Sequence, residues 1–185
     1  TLIDCTCPVL LNIYKKIEEK DKSGYRLIII GDKNHPEVIA MNGHIDGKAV
    51  ILNTVEEAKK IRLDEKLYII SQTTNRSDHF YNLANIIAEK NQNTVIDNTI
   101  CGATKNRQDS CRDLAKTVDL MVVIGGKNSS NTEKLYQIAN EYCDHAIKIE
   151  STEELDFIDF FQYNSIGITA GASTPSWIIE EVINF

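Results

Sequence analysis

The sequence predicts an α/β protein made of two similar Rossmann-like units, each with a parallel β-sheet. Short, continuous apolar runs rich in β-branched side chains occupy residues 27–30 and 120–124. Such runs are typical of strands buried on both faces of a parallel sheet. Each run ends in a polar turn that contains glycine, and helical segments lie between the strands. Strands and helices that alternate in this way indicate an α/β fold.

An internal repeat indicates that there are two units. The matching pairs are separated by 94 to 99 residues, and they are Cys7 with Cys101, 30–34 with 124–128, 49–57 with 146–154, and 73–74 with 172–173. We therefore expect one unit at residues 1–93 and a second at 94–172, followed by a C-terminal segment at 173–185.

The elements of the first unit can be assigned in order. Residues 1–4 resemble a core strand, and this start inside a motif suggests a fragment of a longer protein. Pro8 suits the first position of a helix, and the residues after it show helical spacing of apolar side chains. The predicted elements of this unit are therefore strands at 1–4, 27–30, 49–52 and 67–70 and helices at 9–20 and about 77–90.

The second unit is predicted to open with a strand at 94–97, a helix at about 105–116 and a strand at 120–124. The turn after the first of these strands carries a thiol, and the turn after the second carries neutral hydrogen-bonding groups. Open α/β folds bind ligands at the carboxyl edge of the sheet, so we expect both turns to lie at such an edge.

Composition restricts the function. The net charge of −7 and the pI of about 5.1 disfavour nucleic acid, because binding to its phosphates usually needs a basic face. The longest apolar runs are too short for a membrane span. Five cysteines without a Cys-x-x-Cys pair argue against a disulfide framework and against a zinc ribbon.

Two of the cysteines, Cys7 and Cys101, precede helices at equivalent positions of the repeat. Unpaired N–H groups and the positive end of the helix dipole favour a thiolate there, which is the form that metals bind. The alternative is that both are buried structural thiols. Cys5 is another candidate ligand without a repeat partner, whereas Cys111 and Cys143 are predicted to be packing residues.

Two turns are candidate anion sites. Residues 125–132 hold glycine, hydroxyl and amide groups before a helix, although Ser129 or Ser130 alternatively serves only as an N-cap. Residues 171–175 are a second anion turn, or an N-cap followed by proline. In the first unit, His35 and Glu37 flank a proline and can bind an anion and deliver a proton, or act as a solvated cap.

Six motifs in order resemble the LytB-type iron–sulfur reductases, which act on 4-hydroxy-3-methylbut-2-enyl diphosphate. The motifs are Asp4-Cys5-Thr6-Cys7-Pro8, Asn34-His35-Pro36-Glu37-Val38, Ser71-Gln72-Thr73-Thr74, Ile100-Cys101-Gly102-Ala103-Thr104-Lys105-Asn106-Arg107-Gln108, Gly126-Lys127-Asn128-Ser129-Ser130-Asn131 and Thr169-Ala170-Gly171-Ala172-Ser173. The family has three α/β units about a pseudo-three-fold axis, so the resemblance implies that this chain holds the second and third units and lacks the first.

The resemblance also implies roles for particular residues. Cys7 and Cys101 would be two of three ligands of a 4Fe–4S cluster, with the third in the missing unit. His35, Glu37 and Thr73 would be catalytic. The residues implied to bind the substrate diphosphate are His35, Ser129, Ser130, Asn131 and Ser173.

The implied reaction is a reductive dehydroxylation that yields isopentenyl and dimethylallyl diphosphates, the terminal step of the non-mevalonate isoprenoid pathway. The expected partner is a low-potential electron donor such as ferredoxin or flavodoxin, in the bacterial cytoplasm, with neither nucleic acid nor membrane involved. Since one ligand is missing, we expect the 185-residue chain alone to hold no stable cluster and to be inactive. The alternative is a non-catalytic phosphate- or nucleotide-binding module, which would be colourless rather than brown.

Overall fold

A computed structural model describes residues 1 and 3–185 of the chain. Contacts divide it into two compact units, Thr1–Cys101 and Gly102–Phe185. Both units are α/β, and each has one parallel sheet. The predicted fold class is confirmed to this extent. The division falls later in the chain than the boundary at 93/94 that the repeat predicts.

The first unit has a four-stranded sheet in the order β2-β1-β3-β4, with every neighbouring pair parallel. Its elements are α1 (Pro8–Lys22), β1 (Tyr25–Ile30), α2 (Pro36–Gly43), β2 (Val50–Leu52), α3 (Val55–Lys60), β3 (Lys66–Ser71), α4 (Ser77–Ala88) and β4 (Thr94–Ile96).

The central strand β1 is buried on both faces, as its apolar run predicts. Ile28 and Ile30 pack on one face against α3 and α4, and Leu27 and Ile29 pack on the other against α1 and α2. Burial of each such side chain stabilises the unit by about 1.5–3 kcal/mol. The sheet is thereby a rigid platform for the turns at its carboxyl edge.

The start of the chain differs from the prediction. Of the predicted strand at 1–4, Thr1, Ile3 and Asp4 lie in no strand, Ile3 is 78% exposed, and Leu2 lies outside the described residues. A strand needs a neighbour for its backbone hydrogen bonds, and none of the paired strands of this sheet pairs with these residues. Pro8 does occupy the first turn of α1, as predicted.

The second unit has a three-stranded sheet in the order β6-β5-β7, again parallel throughout. Its elements are α5 (Gly102–Ala115), β5 (Leu120–Ile124), α6 (Ser130–Tyr142), β6 (Ala146–Ile149), two 3₁₀ turns (Thr152–Leu155 and Phe160–Gln162), β7 (Ile166–Ala170) and α7 (Ser176–Asn184).

The strand β4 does not join the sheet that contains β5, although the sequence order suggests one sheet for both. It pairs with β3 of the first unit, in the register Leu67 with Thr94 and Ile69 with Ile96. The pairing closes the edge of β3, which is buried from its second residue to its end. The turn that carries Cys101 therefore belongs to the first unit.

The repeat is visible in the hydrogen bonds at the ends of the two central strands. Gly31 donates its N–H to the carbonyl of Leu52 at 3.0 Å, and Gly125 donates its N–H to the carbonyl of Ile149 at 2.9 Å. On the other side, the carbonyl of Ile30 accepts from Gln72 at 3.0 Å, and that of Ile124 accepts from Gly171 at 2.8 Å. The turns around β1 and β5 are thus built in the same way.

None of the helices in the described part of the chain combines the length and the apolar character that crossing a membrane requires.

Candidate functional site

The first candidate site lies where β1 and β3 end. β1 ends at Ile30 and leads to α2, and β3 ends at Ser71 and leads to α4. Because the two strands are parallel neighbours, both turns lie at the same edge of the sheet. The segment after β4 reaches this edge as well, because β4 is parallel to β3.

Glu37 is fixed by Thr73 across these turns. One carboxylate oxygen of Glu37 accepts the backbone N–H of Thr73 at 2.6 Å, and the other accepts the Thr73 hydroxyl at 2.7 Å. Thr73 is 8% exposed, so both bonds are shielded from water on one side. Glu37 and Thr73, two of the residues that the resemblance implies to be catalytic, are therefore in direct contact, and the two bonds hold the carboxylate in one orientation.

His35 lies beside this pair as the N-cap of α2. Its Nδ1 accepts the backbone N–H of Glu37 at 3.2 Å. Since Nδ1 is an acceptor, the neutral ring carries its proton on Nε2. The ring is half-buried, which leaves it accessible to a ligand at the sheet edge.

Cys101 joins the same group of residues through its backbone. Its N–H donates to the carbonyl of Thr73 at 3.0 Å. His35, Glu37, Thr73 and Cys101 therefore form one continuous chain of hydrogen-bonded residues. Four residues from three of the motifs that the sequence singles out are brought together in one unit.

Cys7 lies at the N-cap of α1 and is exposed, with no side-chain hydrogen bond to the helix. Cys101 is half-buried and immediately precedes α5. Both thiols are free and stand at helix N-termini, where the helix dipole favours an anionic ligand atom. Cys5 is also free and exposed, so the structure leaves it open as an alternative thiol.

The other two cysteines are packing residues, as predicted. Cys111 and Cys143 are 1% and 7% exposed within the apolar cluster between α5, α6 and β5. Burial raises the pKa of Cys111 to about 11, which keeps it a thiol. The Cys143 sulfur donates to the carbonyls of Val118 at 3.3 Å and His145 at 3.1 Å.

The side chains of Cys7 and Cys101 have the right chemistry for an iron–sulfur cluster, since such clusters are held by cysteine thiolates. Among the described residues, however, no group of three or more histidine, cysteine, aspartate or glutamate side chains is placed to hold a metal. Cys7 and Cys101 therefore do not belong to a group of this size among the described residues.

The second candidate site is the turn between β5 and α6. Ser129 is the N-cap of α6, and its hydroxyl accepts the N–H of Thr132 at 3.3 Å, so the predicted capping role is confirmed. Asn131 is 5% exposed, and neither its amide oxygen nor its amide nitrogen has a hydrogen-bond partner. An unpaired buried amide costs about 1–3 kcal/mol, so this side chain is suited to a ligand.

Two glycines shape this turn. Gly125 has a φ of 152°, and a Cβ on it would collide with the Thr132 hydroxyl. A Cβ on Gly171 would collide with the same hydroxyl. The turn that carries Ser173 therefore packs directly against the turn that carries Asn131. Ser173 is exposed there, and Ser130 is half-buried at the first position of α6.

Lys127 lies in this turn but is held by carboxylates. Its N–H donates to Glu150 at 2.6 Å, and its ammonium lies 3.5 Å from Glu150 and 3.8 Å from Glu154. The pKa of Glu150 is lowered, mainly by the backbone hydrogen bond from Lys127 and to a smaller extent by the positive charge of Lys127. Because this cation is paired, the groups offered to an anion here are mainly neutral donors.

The sequence gives no signal for one neighbour of Glu37. Tyr14 in α1 has a raised pKa, first because of burial and second because of the negative charge of Glu37. Its ring stacks on His44 with the centroids 4.1 Å apart. No spacing rule connects Tyr14 with Glu37, because α1 and α2 meet only through the tertiary fold.

The fold and the two sites define an α/β protein that presents thiols, a fixed carboxylate and an unpaired amide at the carboxyl edges of parallel sheets. The chain belongs to the LytB protein family, whose model matches residues 1–185. The resemblance inferred from the six motifs is thereby confirmed. The chain is 46% identical over 182 residues to 4-hydroxy-3-methylbut-2-enyl diphosphate reductase of Caldanaerobacter subterraneus, covering 98% of this chain and 63% of the relative.

Two solved structures are similar. The E-1-hydroxy-2-methyl-but-2-enyl-4-diphosphate reductase of Plasmodium falciparum matches 98% of this chain and 58% of its own, with a TM-score of 0.92 and 29% identity. A second, (E)-4-hydroxy-3-methyl-but-2-enyl diphosphate reductase, the terminal enzyme of the non-mevalonate pathway, matches 98% of this chain and 66% of its own, with a TM-score of 0.59 and 39% identity. The chain spans less than two thirds of the length of these relatives.

Proposed function

We propose that the full-length protein containing this chain reduces 4-hydroxy-3-methylbut-2-enyl diphosphate to isopentenyl and dimethylallyl diphosphates. The observation that carries the proposal is the chain of hydrogen bonds from His35 through Glu37 and Thr73 to Cys101. It supports the proposal because Glu37, the proposed proton donor, is connected through Thr73 to Cys101, the proposed cluster ligand. The relatives named above are reductases of this substrate class.

The reaction consumes two electrons and two protons. The carbon–oxygen bond to the hydroxyl breaks, the hydroxyl leaves as water, and the second proton is taken up by the allylic carbon skeleton. The electrons come from a low-potential carrier such as ferredoxin or flavodoxin. A 4Fe–4S cluster, when bound, supplies single electrons at low potential and a Lewis-acidic iron.

Glu37 is the proposed proton donor. Thr73 holds both of its oxygens, so the carboxyl group keeps one orientation toward the sheet edge. A fixed orientation favours proton transfer because the donor must lie within hydrogen-bond reach of the leaving hydroxyl. His35 presents Nε2–H in its neutral form and is proposed to contact both the diphosphate and the proton path.

The diphosphate is proposed to bind to His35, Ser129, Ser130, Asn131 and Ser173. Helix N-termini are favourable for phosphate, and α6 and α7 begin beside these serines and the asparagine. A hydrogen bond to a charged group is worth about 1.5–3 kcal/mol. Several such bonds offset the net acidity of the chain, because solvent screens distant carboxylates beyond about 8 Å.

Cys7 and Cys101 are the proposed cluster ligands. We further propose that the third ligand lies in a first α/β unit of a three-unit protein, outside these 185 residues. The support is that the chain spans 63% of the Caldanaerobacter relative and that the described residues group no third metal-binding side chain with these thiols. The chain alone is then expected to hold no stable cluster and to be inactive.

The second candidate, a non-catalytic phosphate- or nucleotide-binding module, is favoured by one observation: the unpaired Asn131 amide would suit phosphate without any cluster. The decisive experiment is anaerobic purification of the full-length protein, followed by iron and sulfide counting and a turnover assay with a reduced carrier. A brown protein with four irons and turnover supports the reductase. A colourless protein that binds diphosphate supports the module.

The same iron assay distinguishes a cysteine that binds the cluster from a cysteine that only packs in the core. Cys101→Ser should lose most of the iron, whereas Cys111→Ser, at a buried packing position, should retain it. Equal iron in Cys101→Ser and the parent would remove Cys101 from the ligand set. Stable four-iron binding with turnover in the 185-residue chain would refute the proposal that a third ligand is missing.

A further inference from the structure

The segment that leads to Cys101 continues the ladder of β4 beyond the strand itself. Asp97 donates its N–H to the carbonyl of Ile69 at 2.9 Å, and Cys101 donates its N–H to the carbonyl of Thr73 at 3.0 Å. Residues 97 and 101 are as far apart in sequence as residues 69 and 73. The two segments therefore keep the parallel register of β3 and β4 as far as Cys101.

The middle of this extension is held by a side chain. The Thr99 hydroxyl accepts the N–H of Ser71 at 2.9 Å and donates to the carbonyl of Ser71 at 2.5 Å. Thr99 is 7% exposed and Ser71 is fully buried. One hydroxyl thus satisfies both backbone groups of Ser71 on the side facing β4, where a regular ladder would use backbone alone.

This position connects the two segments that matter for the site. Thr99 lies two residues before Cys101, and Ser71 lies two residues before Thr73. Without the Thr99 hydroxyl, a buried N–H and a buried carbonyl would lose their partner, and the register between the segments would depend on the bonds at 97 and 101 alone. Unpaired buried backbone groups are strongly disfavoured, so the segment would open at this point.

We propose that Thr99 is a positioning residue that holds Cys101 and Thr73 in register through the backbone of Ser71. The inference deepens the proposed function, since the roles of Cys101 and Thr73 rest on it. By fixing Thr73, the same hydroxyl also fixes the Glu37 carboxylate relative to the Cys101 backbone.

A matched control is available in β4, five residues before Thr99. The Thr94 hydroxyl donates to the carbonyl of Asn91 at 2.8 Å, at the opposite end of β4. Thr94→Val removes a threonine hydroxyl bond from this strand without touching Ser71. A general loss of stability would affect Thr94→Val and Thr99→Val alike, whereas loss of register at Cys101 is expected only for Thr99→Val.

The test uses amide hydrogen exchange of the iron-free 185-residue chain, measured residue by residue by NMR. Thr99→Val should accelerate exchange at Ser71 and Cys101 by about tenfold, which corresponds to about 1.4 kcal/mol and lies within the usual range for a lost hydrogen bond. Thr99→Ser, which keeps the hydroxyl, should restore protection, and Thr94→Val should leave Cys101 unchanged. Equal exchange at Cys101 in Thr99→Val and the parent would overturn the proposal.

A second variant covers the case in which Thr99→Val does not fold. Thr99→Ala removes the hydroxyl and the methyl group without adding volume, and it should raise the rate at which a maleimide labels Cys101 in a Cys5→Ser, Cys7→Ser background. An unchanged labelling rate in Thr99→Ala would also overturn the proposal. Neither hydrogen exchange nor maleimide labelling depends on iron. A negative result in these two measurements would therefore contradict the role of Thr99, whereas a full-length parent protein that binds no iron would contradict the proposed function.

In the full-length protein the readout is the cluster itself. Thr99→Val should shift the reduction potential or the electron paramagnetic resonance signal of the bound cluster, while diphosphate affinity stays within about twofold of the parent. Thr99→Ser should return the signal to that of the parent. An unchanged signal and potential in Thr99→Val would count against positioning of Cys101.

Discussion

Glu37 and Asn131 occupy the same place in the two units, yet one is fully paired and the other is unpaired. Each is the second residue of its helix, α2 or α6, and each follows the central strand of its sheet by the same number of residues. Glu37 accepts two hydrogen bonds from Thr73, whereas both amide atoms of buried Asn131 lack a partner.

The difference is caused by the turn that follows the neighbouring strand, β3 in the first unit and β7 in the second. Asn75 N–H donates to the Gln72 carbonyl at 3.1 Å, and Thr174 N–H donates to the Gly171 carbonyl at 3.1 Å. The side chains of Asn75 and Thr174 donate to the carbonyl that ends the central strand, at 3.4 and 3.1 Å. These matched bonds place Ala172 where the first unit has Thr73.

The difference shows how one scaffold, repeated, can surround two equivalent positions with different hydrogen-bond partners. Thr73 has a hydroxyl that orients the Glu37 carboxylate, and Ala172 has none, so the amide of Asn131 has no hydrogen-bond partner. A single partner, rather than the fold, separates a carboxylate that accepts two hydrogen bonds from a buried amide that has none.

The largest effect is expected for Glu37→Gln in the full-length protein. The amide keeps the size of the carboxyl group but cannot deliver a proton, and general acid catalysis typically contributes about 10²–10⁴-fold. Turnover should fall by that factor while iron content and diphosphate affinity are retained. Glu56→Gln, at an exposed position of α3, is the control. Normal turnover in Glu37→Gln would exclude Glu37 as the proton donor.

Loss of the open amide should weaken diphosphate binding. Asn131→Ala and Ser173→Ala should each raise the dissociation constant about tenfold, because one hydrogen bond to a charged group is lost. Titration calorimetry with a substrate analogue measures this, with the cluster spectrum as the check on folding. Ala172→Thr tests the comparison from the other side. The new hydroxyl would hydrogen-bond to the Asn131 amide, so this variant should also weaken diphosphate binding. Affinities equal to that of the parent would show that Asn131 and Ser173 do not bind the diphosphate and serve only the helix N-termini.

Stability should change in opposite directions at the paired and the unpaired position. Thr73→Val removes a hydrogen bond to a carboxylate and should lower the free energy of unfolding by about 1.5–3 kcal/mol. Asn131→Leu removes a buried amide without partners and should be neutral or stabilising. Urea denaturation of the 185-residue chain measures both. A destabilisation of similar size in the two variants would contradict the comparison.

The smallest effect concerns pH. Burial raises the pKa of Asp97, but hydrogen bonds from Lys16 at 2.8 Å and Tyr68 at 2.6 Å outweigh it, and the net pKa lies below its usual value of 3.8. Because the folded pKa is lowered, the contribution to stability is present above pH 3.8 and is lost as the pH falls through the folded pKa.

Asp97→Asn should therefore make the free energy of unfolding of the first unit less dependent on pH below about pH 4. At such low pH the variant and the parent should differ little in stability. Asp46→Asn, at a carboxylate whose side chain is 87% exposed, is the control. Identical pH profiles for Asp97→Asn and the parent in urea denaturation would show that this pair does not contribute to stability.

The candidate site was largely predictable because its residues lie in turns after buried strands. The runs that end at Ile30 and Ile124 predict parallel strands, and the polar residues after them must then lie at the carboxyl edge. The repeat spacing also predicts that Glu37 and Asn131 take equivalent positions. No spacing rule predicts Tyr14 or Thr99, because their contacts join segments that are distant in sequence.

By itself, the sequence determined the alternation of buried strands and helices, the repeat and the turn residues, because hydrophobic periodicity and turn chemistry are local. The tertiary structure adds that β4 pairs with β3, that Thr73 holds Glu37, and that the Asn131 amide has no partner. The physical reason is that a parallel strand forms its hydrogen bonds with a distant segment, and its own side chains do not specify which edge accepts it. The register of that pairing places Thr99 against Ser71 and the Cys101 backbone against Thr73.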